Sequence, residues 1–388
     1  MLVLSGGHLA VDFASGSVPA LIPFMTDKFD LGYAAAAGLL LAATASSSFV
    51  QPLFGVWSDR FGALWLVPGG AFLAAIGVGG AAISPAYPIV LVLVLIGGLG
   101  VAAFHPEGAK SASYASGAKR ATGMSYFNIG GNTGYAFGAF VTAQLVVWLG
   151  LVGGLLAMIP VVAIGFLLVR EMPYLLELRP KGGGARARQG EDQVRAMVLL
   201  SVVIALRSVP WFTLLAFVPL WLVSLGHPKS DGGRILFLML LAGAAGTLAL
   251  GPIADRIGLR ATLVITEALI APLVIVFVYV GGVAGVLSLM GIGVCVVGTF
   301  GVTMVLSQLY LPRHVGVASG LSVGLSMGIG GVAAVILGAV ADAVDLRLAL
   351  MLSAIPPAVG VLFSLLLPVV EEPVLGPVVQ VVAEEPVV

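Results

Sequence analysis

The 388-residue chain is 60% hydrophobic and only 9% charged, against roughly 25% charged in a soluble domain, so most of its surface faces something other than water. Its 18 basic and 18 acidic residues balance, which leaves no basic footprint for a nucleic-acid partner. A single cysteine, Cys295, excludes an internal disulfide and a cysteine-based metal cluster.

A helix needs about 20 apolar residues to cross the hydrocarbon core. Runs of that kind predict an all-α membrane protein with twelve spans, at residues 3–25, 33–57, 63–83, 87–115, 121–147, 152–170, 196–222, 234–254, 261–280, 283–310, 315–340 and 347–370. The first span lacks a basic n-region and a small-residue cleavage site, so it is expected to be a retained helix and not a signal peptide. It carries His8 and Asp12 one turn apart on one face. The second ends in Gly55-Val-Trp-Ser-Asp59-Arg60-Phe-Gly62. The fourth contains Phe104-His105-Pro106-Glu107-Gly108-Ala109-Lys110, where the proline removes a backbone donor and favours a kink. The fifth presents Asn128, Asn132 and Tyr135 as a polar stripe.

A polar stretch from Arg170 to Arg195, containing Lys181-Gly-Gly-Gly-Ala-Arg-Ala-Arg, follows the sixth span. It divides the chain into a six-helix half at 1–170, a linker at 171–195 and a second six-helix half at 196–370; the Val-, Pro- and Glu-rich tail, 371–388, is expected to be disordered. The seventh span carries Arg207, with no acid nearby in sequence, then Pro210 and Trp211. The eighth ends in Gly251-Pro-Ile-Ala-Asp255-Arg256-Ile-Gly258, a second copy of the Gly55–Gly62 octapeptide 196 residues later. A duplication explains both copies, and duplicated helical halves are how many secondary transporters are built. The ninth span holds Glu267, for which the sequence suggests only a tie to a neighbouring loop, and the eleventh repeats the small-residue pattern of the fifth.

Orientation follows from basic residues, which concentrate on the cytoplasmic side. With both termini cytoplasmic, the inner loops hold 12 Lys and Arg and the outer loops only Lys28, Lys229, Arg234 and Arg347. The remaining two, Lys110 and Arg207, lie within spans. An ionisable side chain at that depth costs about 2.5–3.5 kcal/mol on insertion scales and is a functional candidate by default.

Together these segments resemble the fosmidomycin-resistance branch of the major facilitator superfamily. The matching stretches are His8-Leu-Ala-Val-Asp12, Gln51-Pro-Leu-Phe-Gly55-Val-Trp-Ser-Asp59, Phe104-His-Pro-Glu107 and Asn128-Ile-Gly-Gly-Asn132, with Ala245-Gly-Thr-Leu-Ala-Leu-Gly251-Pro and Leu311-Pro-Arg-His-Val-Gly-Val-Ala-Ser-Gly320 in the second half. The repeated octapeptide identifies only the superfamily; Phe104–Glu107 is the more specific. The resemblance implies the major facilitator fold, two pseudo-symmetric six-helix halves, with the first, fourth, fifth and seventh helices meeting at the centre. It also implies a conformational latch at Gly55, Asp59, Arg60 and Gly62 and at Gly251, Asp255, Arg256 and Gly258, weakened by the missing basic residues after Gly62.

The expected function is proton-coupled efflux by alternating access of small anionic or drug-like molecules, in a bacterial inner membrane, with an importer or facilitator of a metabolic anion as the alternative. Proton coupling is expected at Asp12, Glu107, His8 and His105, and substrate binding at Arg207, Asn128, Asn132, Tyr135, Trp211 and Lys110. No cofactor beyond the proton gradient and no resident metal is expected, and the protein is expected to act as a monomer. Metal-dependent uptake through His8, Asp12, His105 and Glu107 stands as a further alternative. Catalysis is disfavoured: His105-Pro-Glu107 is too short for the zinc motif His-Glu-x-x-His, and no nucleophile elbow is present.

Overall fold

A computed structural model describes residues 1–61, 63–116, 120–178 and 191–369, excluding the side chains of residues 49, 52, 59–61, 120–122, 125, 315–317, 319–320 and 323–327. Gly62, the side chains of Asp59 and Arg60, residues 179–190 of the central linker and the tail therefore lie outside the described residues. All regular structure among the described residues is helical. The first half contains α1 (Leu2–Phe29), α2 (Tyr33–Phe61), α3 (Leu66–Ile83), α4 (Tyr87–Ala115), α5 (Arg120–Leu149), α6 (Val152–Leu156) and α7 (Ile159–Glu177). The second contains α8 (Val194–Ser224), α9 (Lys229–Ile257), α10 (Leu259–Tyr279), α11 (Gly282–Val297), α12 (Phe300–Tyr310), α13 (Val315–Ala343), α14 (Leu346–Leu352) and α15 (Ile355–Leu365).

Three crossings are each built from two helices in line: α6 with α7, α11 with α12, and α14 with α15. Counted so, ten stretches of the described residues are long and apolar enough to span a membrane, and α5 and α13, at 30 and 29 residues, complete the twelve. The sixth crossing continues to Glu177, seven residues beyond its expected end at 170, and the twelfth stops at Leu365.

The sixth and twelfth crossings break at equivalent places. Leu156-Ala-Met-Ile-Pro160 and Leu352-Ser-Ala-Ile-Pro356 share a Leu-x-x-Ile-Pro pattern at the same 196-residue offset as the octapeptide. In both, the proline occupies the first turn of the resumed helix, where its missing N–H costs nothing. Neighbour relations repeat as well: α1 packs on α5 as α8 packs on α13, and α2 and α3 pack on α4 as α9 and α10 pack on α11.

Within lipid the hydrophobic effect does not drive helix against helix, so close packing of small residues must. At the α1–α5 contact, a Cβ added to Gly138 would fall on the Phe13 carbonyl, and one added to Gly16 on the Tyr135 carbonyl. The two backbones are thus in contact, which only glycine permits.

The apolar core is joined at one face of the molecule and divided at the other. Near the α1–α2 turn, one cluster unites both halves, with Leu21, Met25 and Leu39 packed with Phe217, Trp221 and Leu236. Toward the end carrying Met1, the core separates into a first-half cluster around Leu4, Phe104, Phe127 and Leu168 and a second-half cluster around Leu200, Leu263, Leu306 and Tyr310. The polar ties between halves sit on the joined face. Asp342 of α13 accepts the first amides of α2, Tyr33 N–H at 2.6 Å and Ala34 N–H at 3.0 Å, so an anion from one half caps a helix of the other. Lys229 pairs with Asp27, and Arg234 and Ser230 contact Gln144.

The start of the second half is fastened to the α12–α13 turn. Asp192 accepts the Arg313 amide at 3.0 Å and bonds His314 Nδ1 at 2.6 Å, while Gln193 N–H donates to Tyr310 O at 2.6 Å. Slight burial pushes the Asp192 carboxyl upward, but these hydrogen bonds and the neighbouring cations outweigh it and hold it below the usual carboxylate range.

Gly138→Val should cost at least about 1–3 kcal/mol, the range for overpacking, read as a lower unfolding midpoint of the purified protein, whereas Gly301→Ala, in a helix where no neighbour lies within 4 Å, should cost far less. Because the folded state lowers the Asp192 pKa, its stabilising contribution is present above the ordinary carboxylate range and lost as pH falls through the lowered value. Hydrogen-exchange protection of the Arg313 amide should drop over that interval, and should already be low at neutral pH in Asp192→Ala.

Candidate functional site

His8 and Asp12, one turn apart on α1, meet His105 of α4. His8 Nε2 lies 3.2 Å from His105 Nε2 and 3.2 Å from Asp12 Oδ2, and His105 Nε2 lies 3.4 Å from Asp12 Oδ1. The second nitrogen of each ring is committed to a backbone carbonyl. His8 Nδ1 donates to Phe127 O of α5 at 2.8 Å, and His105 Nδ1 to Val101 O, one turn back, at 2.8 Å. A carbonyl only accepts, so Nδ1 carries a proton in both rings, and when the rings are neutral both Nε2 atoms direct a lone pair at the other and at the carboxylate. Three acceptors therefore converge on one point.

The cluster is held from several sides. The His8 ring stacks on Phe127, centroids 4.1 Å apart, with Phe104 at 6.0 Å. The α5 backbone lies against it at Gly131, where a Cβ would come within 2.7 Å of Asp12 Oδ2. Asp12 and His105 keep side-chain exposures of 17% and 24%, so the site is approached along its Asp12–His105 side. On α5, Asn132 and Tyr135 are half-buried and Asn128 is exposed.

Other residues expected to join this site are placed elsewhere. Glu107, fully buried, accepts a hydrogen bond from Ser58 of α2, and Lys110 Nζ reaches Ser58 O and Oγ at 3.4 Å each. Ser58 belongs to the first octapeptide, so these two charges join α4 to the end of α2 beside the latch loop. Gly55 approaches Pro106 at the same interface. In the second copy, Asp255 and Arg256 are exposed, and Gly258 turns the chain with φ 94° without a side-chain cap on α10. Asp255 does not cap α10, whose N-terminal turn is made by glycine backbone alone.

Arg207 was expected among the substrate-binding side chains. It is instead buried against Glu267 of α10, Nε to Oε1 3.8 Å, and donates to Thr299 at the break between α11 and α12. Thr299 in turn donates to Cys295 O at 2.6 Å. Its charge is thereby committed inside the second half, and Glu267, which the sequence left with only a loop contact, is its partner. The signal was available: two ionisable residues in apolar spans of one half must find counter-charges, and each is the other's. Trp211, one turn after Arg207, is half-buried.

Two duplicated six-helix halves, with a polar cluster built among α1, α4 and α5 of the first, have the architecture of a membrane transporter. The Major Facilitator Superfamily model matches residues 4–334, and the chain belongs to that family of secondary transporters, which are not enzymes. It is 31% identical over 382 residues to an uncharacterized MFS-type transporter of Bacillus subtilis, YfnC, with 94% of this chain and 92% of that one covered. It is 27% identical over 368 residues to the fosmidomycin resistance protein of Escherichia coli, with 92% and 90% covered. In three dimensions it resembles an inward-facing bacterial homolog of the lysosomal transporter Spinster, with a TM-score of 0.76, 13% identity, and 94% and 95% of the two chains covered.

Breaking a buried ion pair by removing one partner typically costs about 3–5 kcal/mol, while replacing both with apolar residues costs far less. Arg207→Met and Glu267→Met should each lower the unfolding midpoint sharply, and the double variant should recover most of the loss. Additive losses would show that the two charges do not interact.

Proposed function

We propose that this protein is a proton-coupled exporter of small anionic or drug-like molecules, in a bacterial inner membrane with both termini cytoplasmic. The observation that carries the reading is the convergence of His8 Nε2, His105 Nε2 and the Asp12 carboxylate, which with both rings neutral have no proton to share. One added proton converts that repulsion into a hydrogen-bonded cluster, so loading and releasing it alters the tie between α1 and α4. The phosphonate-like cargo is suggested by the similarity to the fosmidomycin resistance protein.

In this reading the halves rock about the cluster. The joined core, the Asp342 cap and the Asp27–Lys229 pair close the outer face, and the divided core opens toward the cytoplasm. Export requires those outer ties to break and the latch loops to close. Asn128, Asn132 and Tyr135 of α5, with Trp211 of α8, are the side chains assigned to cargo. Glu107 and Lys110 act through the latch, since they hold the end of α2 and stand apart from the proton site. Arg207 is assigned to the stability of the second half in place of the anion-binding role first expected of it. The protein acts as a monomer and requires no cofactor beyond the proton gradient.

The test is substrate-driven proton flux in proteoliposomes. Asp12→Asn and His105→Gln should abolish proton movement while leaving substrate binding within a few-fold of the parent, and Glu107→Gln should slow turnover with coupling retained. Normal coupling in both Asp12→Asn and His105→Gln would overturn the assignment. Counterflow against imposed pH gradients of either sign separates export from import.

A further inference from the structure

Three acceptors aimed at one point also describe a metal site. The nearest approaches between ligand atoms, 3.2, 3.2 and 3.4 Å, match a specific figure. Zinc bonded to imidazole nitrogen and carboxylate oxygen at about 2.0–2.1 Å in a tetrahedron separates its ligands by about 3.3–3.4 Å. The two Asp12 distances run to different carboxylate oxygens, and one ligand atom from each of His8, His105 and Asp12 lies within 4.8 Å of the others, so a small turn of the carboxylate brings the three to corners around an ion-sized point. The outer shell agrees. A metal-binding histidine almost always donates its other ring nitrogen to a carbonyl or carboxylate, which fixes the tautomer and aims the ligand lone pair. Here Phe127 O and Val101 O do so for His8 and His105, both at 2.8 Å. Two imidazoles and one carboxylate are a borderline donor set that suits zinc and its first-row neighbours and not magnesium or calcium, which prefer all-oxygen shells.

We propose that His8 Nε2, His105 Nε2 and the Asp12 carboxylate bind one divalent transition-metal ion of the zinc class, with the fourth position facing the exposed side of the cluster. The ion and the transported proton occupy the same point and exclude each other. Binding joins α1 to α4 by metal bonds in place of one hydrogen-bonded proton. The proposal does not depend on the transport reading: a metal-binding cluster need not couple protons, and a proton-coupling cluster need not bind metal.

The test uses the full chain in detergent, without a polyhistidine tag, stripped with chelator. His227 and His314, the other two of the four histidines, are both exposed and are replaced by alanine in the starting protein. Zinc titration by calorimetry should show one site per chain at micromolar affinity or tighter, unaffected by millimolar magnesium. His8→Gln and His105→Gln should each weaken it at least about tenfold, since even outer-shell changes cost about 10–100-fold. X-ray absorption at the zinc edge of the starting protein needs no variant and should show two imidazoles and oxygen without sulfur. No saturable zinc binding, binding that both Gln variants retain, or a zinc–sulfur shell would each overturn the proposal. Proton flux measured in metal-free buffer tests the transport reading separately.

Discussion

An ionisable side chain placed in a hydrocarbon environment must meet a partner, and in this protein each partner belongs to a different helix. His8 and Asp12 on α1 are answered by His105 on α4, Glu107 and Lys110 on α4 by Ser58 on α2, and Arg207 on α8 by Glu267 on α10 and Thr299 beyond α11. Each tie stays within one half. Desolvation cost therefore makes each half a rigid body with its own polar interior, which is the property a rocking mechanism requires of it.

Contacts between the halves are of another kind. They gather on the face of the α1–α2 turn, where small residues bring α2 against α13 and α5 against α9 and a few surface charges cross over. Exposed pairs of this type are each worth little, so the closed face is held by packing and is free to separate. Strong ties inside the halves and weak ones between them mean that the cheapest large motion is the separation of the halves. The His8–Asp12–His105 cluster, bonded to α1, α4 and α5 at once, is placed where a change of one charge is felt by three helices of one such body.

Much of this was legible in the residues. The twelve crossings followed from apolar length, and the duplication from Gly55–Gly62 and Gly251–Gly258. A second echo at the same offset, Leu156–Pro160 and Leu352–Pro356, is equally present in the residues, and its meaning, the restart of a helix, shows only once the breaks in the two crossings are seen. His8 and Asp12 were placed on one face by helical spacing, and the Phe104–Glu107 run marked the fourth helix. Spacing could not say which neighbours these residues would meet. Glu107 and His105 are two residues apart, and two steps along a helix turn side chains toward nearly opposite sides. One therefore faces α1 and the other α2.

The sequence by itself determined what is fixed by local chemistry: the number and length of the crossings, set by the thickness of the apolar layer, and the duplicated plan. Only the tertiary structure decided the pairings. Arg207 and Glu267 are 60 residues apart in the chain, and nothing local brings them together; helix packing does. Likewise the tautomer of His8 is set by a carbonyl of α5 whose position exists only once the helices are packed, whereas that of His105 is set one turn back on its own helix. The chain determined which charges enter the membrane, and the fold decided where each finds its partner, because a partner is chosen by distance in space.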